Sequence, residues 1–348
     1  MFPMKRLTSA ALAALALAAC KETISPDAVD TGALTDKVAT IATTFDNNAA
    51  YQAMTSLSFS FPQFGGTNVV RATLPASPQS LMGLSTLRQR LRVAAPAVQP
   101  GPADAQALFP VDVLGKTFEW NTTNDVYEAT TRTGAPATGI RIIIYTATFG
   151  APIEPLQELG YLDLTDESTA SADQLGVLLK LGNTTIADYA ITAVSATTSQ
   201  RLTAAGYITG ATGSGRVDFS LMVYDDFNTG GGDFEYTVTA QAGGQVVVDF
   251  HDNGNGTGTG LMRISDGQNT IEITTTETLT SSSGQIKFNG VVVATMSQSG
   301  DGEPVIVGAN GRELTQQQQD DLGAIIIGVL SLVFGALFGI LAPAIVVF

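Results

Sequence analysis

The residues of this 348-residue chain whose chemistry reaches beyond packing are one histidine, one cysteine and a few groups of carboxylates. His251 stands between Asp249, on the same face of its strand, and Asp252 at the following turn. A carboxylate beside an imidazole can orient it as a general base. No Gly-x-Ser-x-Gly elbow accompanies the pair, so the nucleophile of a hydrolytic triad is missing and no catalytic residue is assigned. Asp163, Asp166 and Glu167 form a second group, and paired acids of this kind underlie a more distant reading as a glycosidase-like hydrolase. The turns Asp225-Asp226-Phe227-Asn228 to Asp233 and Asp252-Asn253-Gly254-Asn255-Gly256 offer the oxygen ligands that calcium prefers. Neither keeps the Asp-x-Asn-x-Asp-Gly spacing with a distant Glu, and Asn, Asp and Gly are the ordinary residues of hairpin turns. One histidine and one cysteine cannot build a usual zinc site, so no metal ligand is assigned. Gly213-Ser214-Gly215 lacks the lysine and the following helix of a phosphate loop.

Cys20 has the most specific surroundings. Met4-Lys5-Arg6 is basic, Leu7 to Ala19 is uncharged and apolar, and small residues precede the cysteine. That is the layout of a secretory leader, too short for an ordinary membrane span.

Leu17-Ala18-Ala19-Cys20 resembles the lipobox of bacterial lipoprotein precursors. The resemblance implies cleavage before Cys20, a diacylglycerol on its thiol and an acyl group on its new amino terminus. It also implies a membrane tether for whatever follows. Lys21 is not an aspartate, which by the same resemblance favours the outer membrane, facing the periplasm.

The formal charge of −15 becomes −17 once Lys5 and Arg6 leave with the leader. Such a surface opposes binding to nucleic acid or to anionic headgroups through a basic patch. Arg88, Arg90 and Arg92 are the one basic cluster of the mature chain and read as a solvated face. With a single cysteine, no intrachain disulfide can form, and stability must come from the core.

The spacing divides the chain into five parts. Residues 1–19 are the leader, and 20–64 are a tether with two short helices. Leu34, Val38, Ile41 and Phe45 fall at helical spacing, as do Ala50, Met54 and Leu57, with Asp46 placed to cap the second helix. Ser58 to Phe61 alternates like a first strand. Residues 65–113 are rich in Pro and Ala and read as a linker or surface loop. From 114 to 312 the period is two. Val217, Phe219, Leu221 and Val223 share one strand face, as do Phe234, Tyr236 and Val238, while Leu261 and Ile264 suggest a slip. Roughly ten strands joined by Gly-, Asn- and Asp-rich turns predict a mainly β domain, an antiparallel meander forming a curved sheet or half-barrel. No helix is visible between strands to carry a parallel crossover.

Residues 313–348 predict one long apolar C-terminal helix. Thr315 and Gln318 have capping-box spacing, and no charged residue occurs from Leu322 to Phe348. At 1.5 Å per residue such a helix reaches about 40 Å, enough to span a bilayer core, and Pro343 would end or kink it. Ala324, Gly328, Ser331, Gly335, Gly339 and Ala342 make one side of it small. Three placements are open. The helix spans the inner membrane as a second anchor, fills the concave face of the sheet, or pairs through its small face with copies of itself or with a partner.

The second placement resembles the half-barrel of lipoprotein-localisation carriers, whose apolar groove binds acyl chains. The residues together predict a non-enzymatic cell-envelope lipoprotein with a structural or interaction role and no cofactor beyond its acyl groups. The alternative is a carrier of a hydrophobic ligand.

Overall fold

The computed structural model describes residues 32–60, 107–148, 151–213, 215–299 and 305–309. It also describes positions 311, 315, 322, 328–329, 333, 339–344 and 347. The expectations placed on the leader, Cys20, Lys21, Ser214, the arginines Arg88, Arg90 and Arg92, and most of the 65–113 stretch lie outside these residues.

Among the described residues two helices come first, α1 (Gly32–Asp46) and α2 (Ala49–Ser60). Their apolar positions Val38, Ile41, Phe45, Ala50, Met54 and Leu57 are all buried, as the helical spacing requires. The cap of α2 is Asn48 rather than Asp46, which closes α1 instead. Asn48 Oδ1 accepts from the Tyr51 amide at 3.0 Å, and its Nδ2 donates to the Thr209 carbonyl at 2.8 Å. One side chain thus caps a helix and ties it to the sheet. Replacing it removes a cap worth about 1 kcal/mol and strands a buried carbonyl at about 1 kcal/mol or more. Asn48→Ala is therefore expected to lower stability by about 2 kcal/mol, read as the urea midpoint, and Asn48→Asp, which sets an acceptor oxygen against that carbonyl at a position only 1% exposed, is expected to lose at least as much. Of the strand expected at Ser58 to Phe61, residues 58–60 are instead the last turn of α2, and Phe61 lies outside the described residues.

Among the described residues fifteen strands form one open sheet. Its first members are β1 (Thr117–Asn121), β2 (Val126–Thr130), β3 (Gly139–Tyr145), β6 (Glu158–Asp166), β7 (Asp173–Leu181) and β8 (Thr184–Ala196). They are followed by β9 (Ser199–Ile208), β10 (Val217–Asp226), β11 (Gly232–Ala240), β12 (Gln245–Asp252) and β13 (Gly258–Ser265). The far edge holds β14 (Thr270–Glu277), β15 (Ser281–Phe288), β16 (Val291–Ser299) and β17 (Val305–Gly308). β4 (Ala147–Thr148) and β5 (Ala151–Pro152) make a separate two-stranded ladder.

The mainly β expectation holds. The strand count is fifteen rather than roughly ten, and the sheet is mixed. From β6 to β17 the chain is an unbroken antiparallel meander, but β1 pairs parallel with β3. No crossover helix is needed there. β2 returns antiparallel to β1, so residues 131–138 re-enter on the other side of β1 with the direction already reversed.

Register places one continuous apolar row across the inner face: Val177, Tyr189, Gly206, Phe219, Val238, Val246, Ile264, Ile271 and Phe288. Ile264 is inward and Leu261 outward in one unbroken register, so the expected slip is absent. Gly206 holds φ at +155, and a Cβ there would overlap Tyr189. The missing side chain lets the Tyr189 ring cross to meet Phe219 edge-on at 5.4 Å. At the β15–β16 hairpin, Asn289 (φ 49) and Gly290 (φ 81) supply the two positive angles of a type I′ turn.

Among the described residues, the outer face is covered at its N-terminal end. Residues 131–138 cross it there, Gly134 lying against the Arg141 guanidinium, and Ile143 is buried on that side. Beneath this cover Arg141 grips Asp163 with two hydrogen bonds of 2.7 and 2.8 Å and lies 3.7 Å over the Tyr161 ring.

The expected continuous apolar helix over 313–348 is not found among the described residues, and no described helix is long and apolar enough to cross a membrane. The described positions there, 322, 328–329, 333, 339–344 and 347, are helical. Leu322, Val329, Val333, Ile340, Leu341, Ala344 and Val347 join the same hydrophobic core as the sheet and the two helices. Pro343 lies inside helical backbone rather than at its end.

Candidate functional site

The sequence-selected carboxylates are occupied by structural bonds. Asp163 is only 8% exposed and is committed to Arg141. Asp166 accepts from the amides of Leu108 (2.9 Å) and Ser168 (3.0 Å). Glu167 accepts from the Thr165 hydroxyl at 3.2 Å and from the Gln174 amide group at 2.9 Å. The three acids do not converge as a pair across a substrate, and a glycosidase geometry is not built from them.

His251 lies at the exposed end of β12. Its Nδ1 meets the Asp233 carboxylate and its Nε2 meets Asn253 Oδ1 at 3.0 Å. The orientation of Asn253 follows from its Nδ2, which donates to Thr257 Oγ1 at 2.9 Å. The sequence paired His251 with Asp249 and Asp252. Its bonded carboxylate is instead Asp233, directly opposite on β11. Both ring nitrogens face acceptor oxygens, so the arrangement favours the doubly protonated imidazolium and leaves no lone pair for a base. The hydrogen bond to Asp233 raises the His251 pKa above its ordinary value. The stability this contributes is complete below the unfolded pKa and is lost as pH rises through the folded one. With the ring 52% exposed the gain is small. Asp233→Asn is expected to lower the His251 pKa, measured by following its ring protons by NMR; an unchanged titration would disprove the pairing.

The two acidic turns close on themselves. Asp226 Oδ1 accepts from the amides of Asn228 and Thr229 at 2.9 and 3.4 Å, which holds its carboxyl below the usual range. Asp252 Oδ1 accepts from the Gly254 amide at 2.6 Å. Among the described residues no group of three or more His, Cys, Asp or Glu is arranged to hold a metal ion.

What the sequence did not single out lies on the inner face. Tyr51 of α2, Tyr189 of β8 and Tyr236 of β11 are all buried there. They are close enough that Tyr189 and Tyr236 both act electrostatically on Tyr51, though burial is the main cause of its raised pKa. The Tyr189 hydroxyl donates to the main-chain carbonyl of Ile340 at 3.0 Å. This bond joins the C-terminal segment to the middle of the sheet in surroundings that are otherwise apolar. Gly328 faces α1: a Cβ on it would sit 3.6 Å from Val38. The signal was present as strand parity, since Tyr236 alternates inward between Phe234 and Val238.

The inner face therefore presents packed hydrocarbon with a few phenol and hydroxyl donors, and no described cluster is assembled for bond making. Comparison of the chain with protein-family models finds no match, and none is found among curated proteins or among solved structures.

Proposed function

We propose that the chain is a non-enzymatic cell-envelope lipoprotein, tethered through an acylated Cys20, with a structural or interaction role. Its C-terminal apolar residues are part of the fold and not a second anchor. The bond from Tyr189 to Ile340 carries this reading, because it places the C-terminal segment against the centre of the sheet. The burial of Val329, Val333, Ile340 and Val347 with the sheet core supports it. A segment already sequestered from water needs no bilayer, and Gly328 on its small face lies against Val38 of α1.

The lipid on Cys20 is then the membrane contact, in the outer membrane with the β domain in the periplasm. Neither nucleic acid nor a metal cofactor is required. Mass spectrometry of the N-terminal peptide tests the tether. The expected product begins at Cys20 with a diacylglycerol and an N-acyl group, and an unmodified cysteine would refute the proposal.

A further inference from the structure

Among the described residues six large hydrophobic side chains are exposed, and five of them stand at one end of the sheet. From β6 onward the antiparallel meander puts the hairpins β6–β7, β8–β9, β10–β11, β12–β13 and β14–β15 at that end. Val194 near the end of β8, Phe227 after β10 and Leu279 after β14 are 40%, 55% and 80% exposed. Val305 opens β17 opposite Ser297, near the same end of β16. Val111 lies between Leu108, whose amide donates to Asp166 at the end of β6, and Gly115, whose amide donates to Gly139 beside Thr165. The turns at the other end, 182–183, 241–244, 266–269 and 289–290, expose no such side chain.

The tips form one shelf. The Phe227 amide donates to the Thr198 carbonyl at 2.9 Å, Gly254 lies against the Thr229 carbonyl, and Gly256 leaves the room that the Leu279 side chain occupies. Residues 197–198, 227–231, 253–257 and 278–280 carry no charge. Asp226 and Asp252, at the roots of two tips, accept from amides of their own turns.

Phe227 and Leu279 are four strand spacings apart, about 19 Å, with Gly, Asn and Thr between them. A protein partner would need a separate socket for each side chain, whereas a bilayer accepts apolar side chains anywhere along one plane. Anionic headgroups repel so acidic a chain, so the surface that fits is a neutral one. From Cys20 to Gly32 the chain can extend to about 40 Å, more than the roughly 33 Å of a strand as long as β10. The tips can therefore reach the bilayer that holds Cys20.

We infer that this hairpin end rests on a neutral phospholipid surface, with Phe227 and Leu279 inserted at the headgroup boundary. The sheet then stands upright, and α1, which bonds to Ala242 through Lys37, lies toward the far end. A single acyl chain binds a bilayer only marginally, and a few shallow side chains hold no better. The contact forms at the local concentration that the tether supplies. The inference rests on the tether of the proposed function and adds an orientation to it.

The test couples the mature chain through Cys20, its one thiol, to maleimide-headed lipid in phosphatidylcholine vesicles. The coupling replaces acylation, so failure of the inference is distinct from failure of the tether in the cell. Leu279→Trp reports on the hairpin end, and Gln268→Trp, in the exposed turn at 266–269, reports on the opposite end. Phospholipid brominated high in its acyl chains quenches an indole that enters the bilayer, and Trp120, buried in both variants, gives a common background. Leu279→Trp is expected to lose about half of its added emission and Gln268→Trp almost none. Adding Phe227→Ser to Leu279→Trp should reduce the quenching about twofold, since one of the two inserted side chains is gone. Circular dichroism matching wild type shows that the variants fold. Quenching of Gln268→Trp instead would overturn the inference. Quenching of neither reporter would overturn it too, leaving the tips to a protein partner.

Discussion

A chain ended at Asp321 should lose its cooperative unfolding transition. The truncation removes Leu322, Val329, Val333, Ile340, Leu341 and Val347 from the core. At about 1.5–3 kcal/mol for each buried aliphatic side chain, the loss is on the order of 10 kcal/mol or more. A domain is stable by only about 5–15 kcal/mol, so most or all of the margin goes. The inner face around Tyr189 would also open to water, and the expected product aggregates or binds a hydrophobic dye. Circular dichroism with a urea titration reads the outcome. A truncated chain that melts as sharply as wild type would mean that the segment is an appendage. Tyr189→Phe is the milder companion. It removes one hydrogen bond while leaving the Ile340 carbonyl in its helical turn, so a loss of about 1 kcal/mol is expected.

The next largest effect is expected at the covered end of the outer face. Arg141→Ala leaves the Asp163 carboxylate, 11% exposed, without its counter-charge and without two hydrogen bonds. Breaking one side of a buried pair costs about 3–5 kcal/mol, because the remaining charge stays desolvated. The guanidinium also covers the Tyr161 ring and touches the 131–138 crossing, so packing is lost along with charge. Replacing both partners by apolar residues of similar volume, as in Arg141→Met with Asp163→Leu, should recover most of the loss. The comparison of single and double variants by urea midpoint isolates the pair. A double variant no more stable than Arg141→Ala would show that the ion pair is not the origin.

Strand identity was legible because one face is buried along most of the sheet. Val217, Phe219, Leu221 and Val223 alternate in sequence and are all inward in the fold. Asn289-Gly290 announced its hairpin for the same local reason, two positive φ angles in a row. The parallel pairing of β1 with β3 was not legible, because it depends on which side of β1 the chain re-enters after β2. β3 itself is buried on both faces, so Ile142, Ile143 and Ile144 form a run without alternation. The capping role of Asn48 was missed because Asp46 and Asn48 are both good cap residues, and only the end of α1 decides between them.

The candidate chemistry was less legible. His251 and its neighbouring acids drew attention by residue type, yet its bonded partner, Asp233, is eighteen positions away and directly opposite on the neighbouring strand. Tyr236 read as an ordinary inward aromatic, and Tyr189 was not singled out. Only the tertiary structure distinguishes a phenol that meets a carbonyl from one that meets nothing.

Under the proposed function, the placement of the C-terminal segment decides between one tether at Cys20 and a chain held at both ends. The most direct measurement expresses the chain with Cys20→Ala behind a conventionally cleaved secretory leader and then fractionates the cells without detergent. The account predicts folded protein released in the soluble periplasmic fraction, with residues 322–348 intact and protected from protease. Protein that stays in the membrane fraction until detergent is added would contradict it.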